Sequence, residues 1–168
     1  QAVVLLAVHL DPFAAPAYLQ RPVLGALGAA EELRPFLRVE VEVPAQPSGL
    51  GWLPDGRLLY VSMRDRKVMR REPDGTSVVH ADVSEFVGGH PNDMVVDDAG
   101  RIYVGAQART DGVVVRVDPD GAASVVASGL DFPNGMVITP DGTTLVVAES
   151  TSRRLRAFTL SDGELSGA

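Results

Sequence analysis

A repeat of about 42 residues limits the folds that are open to this sequence. Three segments share a small or polar residue, a short apolar stretch, a turn that ends in glycine, and a second apolar stretch. Their closing glycines are Gly56, Gly100 and Gly142, which lie 44 and 42 residues apart. Because Asp-Gly between apolar runs is a strong hairpin signal, each repeat predicts two hairpins, or four short strands. The second series of Asp-Gly turns runs in phase with the first, at 74–75, 120–121 and 162–163.

A unit of this length with four strands is typical of a β-propeller blade. One blade cannot cover both of its apolar faces, whereas blades stacked around an axis cover each other. The alternative all-β fold is a sandwich, which does not require near-identical turns in register. We therefore predict an all-β protein, a β-propeller with an incomplete set of three to four blades over residues 39–168.

Residues 1–38 do not fit the repeat, and we predict that they form a separate N-terminal segment. A short helix over residues 23–33 is one expectation for it, and poor order is the other. Three repeats are fewer than the four or more blades of a closed propeller. The alternatives are that the chain is a piece of a longer one, that residues 1–38 fill the gap, or that another chain supplies blades.

Composition excludes several classes of function. The net charge is −7, and basic residues occur at most in adjacent pairs, so we expect no nucleic-acid partner. The sequence has no cysteine, which excludes disulfides, thiolate nucleophiles and cysteine-bound zinc. No apolar run approaches the roughly 18 residues that span a bilayer. We therefore expect no membrane partner and a cytoplasmic location.

Two asparagines occupy equivalent positions in the repeat. Asn92 and Asn134 each lie eight residues before a closing glycine, where the first repeat has Ser48. This position comes just before the innermost strand of a blade, and such positions converge on the central channel of a propeller. Amide oxygens gathered there suit a hard cation such as Ca²⁺ or Mg²⁺. The same amides can hydrogen-bond sugar hydroxyls.

The competing interpretation of each asparagine is an ordinary turn, since Asn before Gly or Asp often bonds its own backbone. Against it, the pattern Pro-Asn-x-Met recurs in repeat register at 91–94 and 133–136. Two neighbours of Asn92 are also candidates. Asp93 either orients the site or is a solvated turn carboxylate, and His90 either lines the channel mouth or is simply exposed.

Three stretches resemble a known family. They are His-Pro-Asn-Asp-Met-Val-Val-Asp at 90–97 with Gly-Arg-Ile-Tyr-Val-Gly at 100–105, Phe-Pro-Asn-Gly-Met at 132–136 with Pro-Asp-Gly at 140–142, and Pro-Ser-Gly-Leu-Gly-Trp at 47–52. They look like successive blades of the senescence-marker-protein/gluconolactonase/luciferin-regenerating-enzyme-like family, which includes gluconolactonases and regucalcin. The match covers about residues 39–168.

The resemblance implies a six-bladed propeller that hydrolyses sugar lactones with a divalent cation in its channel. By motif, Asn134 takes the metal-binding asparagine and Asn92 the substrate-contacting one. His90 and Asp93 are added as substrate-binding candidates because they lie beside Asn92 in the sequence. The cation expected is Ca²⁺, with Zn²⁺, Mn²⁺ or Mg²⁺ as alternatives. The family's metal-binding glutamate has no counterpart in residues 1–38. Its general-base aspartate has no counterpart either, so no catalytic residue is assigned.

The leading functional hypothesis is divalent-metal-dependent hydrolysis of a sugar lactone, an activity that these 168 residues need not possess on their own. The alternative is a non-catalytic propeller scaffold that binds a protein or a small molecule, since a fold does not fix a function. Unpaired blade edges invite association, so self-association of the chain is a further expectation.

Overall fold

The computed structural model describes residues 3–7, 38–108 and 111–167 of the chain. Every regular element among these residues is a β-strand. The chain divides into two compact units, residues 1–44 and residues 45–168. In the described residues there is no helix that is long and apolar enough to span a membrane.

The first unit contains a two-stranded antiparallel sheet. Strand β1 (Val3–Ala7) pairs with β2 (Arg38–Val43), and the register shifts once, between Leu5 and Leu6. The alternation of apolar and charged residues from Val39 onward accords with the strand there. The helix predicted over residues 23–33 lies outside the described residues.

The second unit contains three four-stranded antiparallel sheets, each formed by four consecutive strands paired in chain order. The first blade comprises β3 (Pro47–Trp52), β4 (Leu58–Ser62), β5 (Lys67–Arg71) and β6 (Ser77–Asp82). The second comprises β7 (His90–Val96), β8 (Ile102–Gln107), β9 (Gly112–Val117) and β10 (Ala123–Leu130). The third comprises β11 (Pro133–Ile138), β12 (Thr144–Glu149), β13 (Arg154–Ser161) and β14 (Glu164–Ser166). The prediction of an incomplete β-propeller with two hairpins per repeat is confirmed.

The turn glycines explain why the three blades share one local geometry. Gly56, Gly100 and Gly142 have φ angles of 83°, 80° and 72°, a region that a residue without a Cβ enters at little cost. Each donates its N–H to the carbonyl three residues earlier, at 2.8–2.9 Å. These turns close the hairpins β3–β4, β7–β8 and β11–β12. They fix the direction in which the second strand of every blade leaves the first.

Apolar side chains fill the space between successive blades. One cluster joins the first two blades and includes Leu59, Val61, Ile102, Val104 and Val115. A second cluster joins the second and third blades and includes Tyr103, Val114, Leu145, Val147 and Phe158. Because side chains alternate along a strand, β8 contributes Ile102 and Val104 to one cluster and Tyr103 to the other. The middle blade is therefore buried on both faces, and the first strands β3, β7 and β11 lie side by side.

Candidate functional site

Near the start of each blade, a proline is followed by an irregularity in strand pairing. Pro47, Pro91 and Pro133 pair with the ends of β4, β8 and β12, and the register then shifts before regular pairing resumes at 50, 94 and 136. Proline has no N–H to give to a sheet ladder and is found at strand starts and bulges. A bulge turns the side chains of its extra residues away from the ordinary alternation. The residues in these three irregularities are Ser48 and Gly49, Asn92 and Asp93, and Asn134 and Gly135.

The backbones of β3 and β7 approach each other closely at the first irregularity. A Cβ at Gly49 would lie 2.6 Å from the amide nitrogen of Met94 and 2.7 Å from the carbonyl oxygen of Asn92. Only glycine leaves room for backbone at that distance. This approach carries Ser48, the neighbour of Gly49, against the side chain of Asn92.

Four polar side chains form one hydrogen-bonded line across the three blades, which we call the amide row. The Ser48 hydroxyl donates to Asn92 Oδ1. Asn92 Nδ2 donates to Asn134 Oδ1 at 2.7 Å, and Asn134 Nδ2 donates to the Ser150 hydroxyl at 3.2 Å. Ser48, Asn92 and Asn134 are half-buried, and Ser150 is exposed. The row therefore lies where a ligand from solvent can reach part of it.

The two asparagines thus lie together, as expected for equivalent positions in successive blades. They are also the only asparagines in the sequence. Their roles with substrate and cation stay predictions. The sequence marked Ser48 only as the residue of the first repeat that is equivalent to the two asparagines; it did not indicate a hydrogen bond to Asn92. Ser150 had no signal as a member of the row, because it follows a second strand and no repeat position marks it.

The two neighbours of Asn92 lie at the border of the row. Asp93 is half-buried, and its Oδ2 lies 3.5 Å from the point that a Cβ at Gly135 would occupy, so it contacts the third blade next to Asn134. His90 is exposed, with its Nδ1 3.2 Å from the carbonyl oxygen of Met63. The roles of Asp93 and His90 in binding a substrate stay predictions.

Behind the row lies Glu149, the last residue of β12, whose side chain has no exposed surface. Its carboxylate accepts hydrogen bonds from Arg154 Nε at 2.6 Å, Arg156 Nε at 3.0 Å and the backbone N–H of Asp131 at 2.7 Å. The hydrogen bond from Arg154 is the main reason that the pKa of Glu149 falls to about 2, and the bonds from Asp131 and Arg156 lower it further. Glu149 thereby ties the loop before β11 to the strand that ends beside Ser150.

A separate cleft lies between the second and third blades, where the turns of β7–β8 and β11–β12 approach each other. It is lined by Asp97, Arg101, Thr139 and Asp162, among others, and contains no residue of the amide row. Asp97 is already bound by the Arg101 guanidinium, with Nε 2.7 Å from Oδ2. The cleft is at the other end of β7 and β11 from the asparagines.

Fold and site together define a class: a β-propeller in which polar side chains at the starts of the inner strands meet in one row. The chain belongs to the family described as the SMP-30/Gluconolactonase/LRE-like region, whose model matches residues 37–168. Family membership and the propeller fold were both expected from the sequence motifs, and both are confirmed.

Three relatives show how far the similarity extends. The pentonolactonase XacC of Haloferax volcanii is 32% identical over 69 residues, which are 40% of this chain and 24% of that protein. The gluconolactonase XC5397 of Xanthomonas campestris has a TM-score of 0.66 and 25% identity, over 78% of this chain and 50% of that one. Regucalcin of Agrobacterium tumefaciens, a calcium-binding protein, has a TM-score of 0.51 and 18% identity, over 77% and 59%. The chain spans half of the gluconolactonase and about a quarter of the pentonolactonase that it matches.

The donor atoms of the row fit part of a cation site. The Asn134 carbonyl and the Ser150 hydroxyl are hard oxygens of the kind that Ca²⁺ and Mg²⁺ take. However, no group of three or more His, Cys, Asp or Glu side chains in the described part of the chain could hold a metal ion. Carboxylates supply much of the affinity for such ions. The described residues therefore offer uncharged oxygen ligands for a cation, and a cluster of charged ligands for such a site is not among them.

Proposed function

We propose that this chain forms the amide-bearing part of a sugar lactonase. The observation that carries the proposal is the amide row, because it gathers the asparagines of two neighbouring blades into one hydrogen-bonded line. Similarity to a gluconolactonase and a pentonolactonase supports the lactone as the substrate class. The reaction is hydrolysis of the ring ester to the open hydroxy acid.

The residues of the row suit a polyhydroxylated ring. Amides offer a donor and an acceptor on one planar group, and serine hydroxyls do both with one oxygen. Asn92 lies in the middle of the row, with His90 and Asp93 near it along β7, and we assign these three to the substrate. The fixed spacing of the row lowers the entropy cost of orienting several sugar hydroxyls at once.

Asn134 is assigned to a divalent cation, through the oxygen lone pair that is not used by Asn92. A bound cation would polarise the lactone carbonyl as a Lewis acid. The carboxylate that would act as general base is not among the residues assigned here. Ca²⁺ is the first expectation, and Zn²⁺, Mn²⁺ and Mg²⁺ are the alternatives to test.

Hydrolysis of glucono- and pentonolactones by the purified protein tests the proposal, with each cation added in turn to metal-free protein. Asn134→Ala should lower kcat/KM by about a hundredfold, and Asn92→Ala should raise KM by about tenfold, since each loses one or two polar contacts. Asp98→Ala, at the other end of β7, is the control and should match wild type. Hydrolysis that is equal in all four proteins would reject the assignment.

The alternative function is a scaffold that binds a partner without catalysis. It is favoured by one observation, that the described residues offer no cluster of acidic or histidine ligands. A folded protein that shows no hydrolysis with any cation and binds no lactone would support this alternative.

A further inference from the structure

The hydrogen bonds of the amide row all run in one direction. Every donor in it points the same way along the row, from Ser48 through Asn92 and Asn134 to Ser150. The oxygen of the Asn92 amide faces the first blade, and the nitrogen faces the third. A half-turn about the last side-chain torsion exchanges these two atoms with little change in shape.

The reversed row would also be hydrogen-bonded throughout. Ser150 would donate to Asn134 Oδ1, Asn134 Nδ2 to Asn92 Oδ1, and Asn92 Nδ2 to the Ser48 oxygen, because a hydroxyl both donates and accepts. One asparagine cannot turn alone, since two amide oxygens or two amide nitrogens would then face each other. The row therefore changes direction as a unit, and the two directions differ in which serine, Ser48 or Ser150, donates its hydroxyl proton to an amide oxygen.

We propose that Ser48 is a positioning residue that sets the direction of the amide row. Ser48 is held in place by the close packing of Gly49 against the β7 backbone, and it is half-buried, whereas Ser150 is exposed. In the reversed row Ser48 would accept from Asn92, and its own half-buried hydroxyl proton would lose the amide oxygen that it now binds. The exposed Ser150 hydroxyl can donate its proton to water in either direction, so Ser48 turns the Asn92 oxygen toward the first blade.

The effect of Ser48 on substrate and cation binding rests on the proposed function. The direction of the row determines which atom of Asn92 meets a substrate hydroxyl. It also determines the side of the Asn134 amide on which Oδ1, the atom assigned to the cation, is found. Ser48 would act on the reaction through the two asparagines, without touching the reacting atoms.

The chain offers a direct measurement of the direction. Because it has only two asparagines, labelling with ¹⁵N-asparagine leaves only two labelled side-chain amide groups to observe. In the metal-free wild type, we expect nuclear Overhauser effects from the Asn92 Nδ2 protons to be stronger to Asn134 than to the side chain of residue 48. Ser48→Val removes the hydroxyl and should strengthen the effects to residue 48 relative to those to Asn134. Ser48→Thr is the matched control, because threonine has the shape of valine but keeps the hydroxyl. It should give the same Overhauser pattern as the wild type.

Kinetics provide the second readout. Ser48→Val should raise KM for the lactone by about fivefold, the loss that follows from one misdirected hydrogen bond, and Ser48→Thr should stay within about twofold of wild type. Ser150→Ala should leave the Overhauser pattern of Asn92 unchanged. If valine disturbs folding, as seen by circular dichroism, Ser48→Ala takes its place.

Two failures can be told apart. An unchanged Asn92 pattern in both hydroxyl-free variants would overturn the role of Ser48, whatever the enzyme does. Wild-type protein that hydrolyses no lactone would overturn the proposed function, and the Overhauser pattern would still decide the direction of the row.

Discussion

The Glu149 carboxylate is buried, and two arginines and one backbone N–H bind it. Removing the Glu149 charge leaves Arg154 and Arg156 without their partner, although these two side chains are 54% and 24% exposed and can be partly solvated. Glu149→Gln should therefore lower the free energy of unfolding by about 2 kcal/mol at neutral pH, as measured by urea denaturation. Glu85→Gln, at an exposed carboxylate, is the control and should change it by less than about 0.5 kcal/mol.

Acid should remove the same stabilisation. The pKa of Glu149 in the folded protein is about 2, below the ordinary value of 4.5, so the unfolded chain takes up the proton first as the pH falls. The contribution of Glu149 is complete above about pH 4.5 and declines as the pH falls toward 2. The difference in unfolding free energy between wild type and Glu149→Gln should shrink over this range. A difference that stays constant throughout it would contradict a charged Glu149 in the folded protein.

At this scale, the equal repeat positions and the recurring Pro-Asn-x-Met pattern singled out Asn92 and Asn134, because a propeller carries equal repeat positions to one place. Glu149 could not be identified in the same way. Its partners come from a neighbouring strand and from the loop at Asp131, and nothing in the spacing of these residues marks a shared ion pair. Ser150 became recognisable as part of the row only through its contact with Asn134.

Among the elements, the close approach of β3 and β7 depends on Gly49. A Cβ at Gly49 would meet backbone atoms at 2.6–2.9 Å, and backbone cannot move aside as a flexible side chain can. Gly49→Ala should therefore lower the free energy of unfolding by about 2 kcal/mol and separate Ser48 from Asn92. Thermal and urea unfolding measure the first effect, and the Asn92 amide signal measures the second.

Gly135→Ala is the matched control, because Gly135 occupies the corresponding position of the third blade. A Cβ there meets only Asp93 Oδ2, at an ordinary contact distance of 3.5 Å. We expect its stability to stay within about 0.5 kcal/mol of wild type. Equal losses in the two variants would show that close backbone approach is not what makes Gly49 necessary.

The strands and turns were predictable because Asp-Gly turns and apolar alternation are local signals. The irregularities after Pro47, Pro91 and Pro133 were not predicted, although the prolines stand in repeat register. A bulge depends on the partner strand as well as on its own sequence. It was these irregularities that turned the row residues toward one another.

For the whole molecule, the third blade has an apolar face opposite the second blade. Val137, Val146 and Ala157 are cross-strand neighbours on that face, and Leu155 lies beside them. Val137 is 60% exposed and Leu155 is 74% exposed. Exposed apolar sheet faces invite association. Self-association of the chain stays a prediction, and sedimentation of the purified protein measures it.

The number of blades could be predicted from the repeat, but the complete site could not. Each repeat specifies its own four strands through local signals, so three blades could be predicted from three sets of turns. Repetition also places Ser48, Asn92 and Asn134 one repeat apart, at separations of 44 and 42 residues, but it does not place Ser150 in the row. The direction of the hydrogen bonds in the row depends on packing that no single repeat contains.

The central claim is that a sugar lactone binds across the amides of Asn92 and Asn134. A lactam analogue of gluconolactone, which resists hydrolysis, allows binding to be measured directly on ¹⁵N-asparagine-labelled protein. We predict that both side-chain amide signals shift during the titration, and that Asn92→Ala weakens binding by about tenfold. Binding of the lactam with neither amide signal moving, or with equal affinity in Asn92→Ala, would contradict the account.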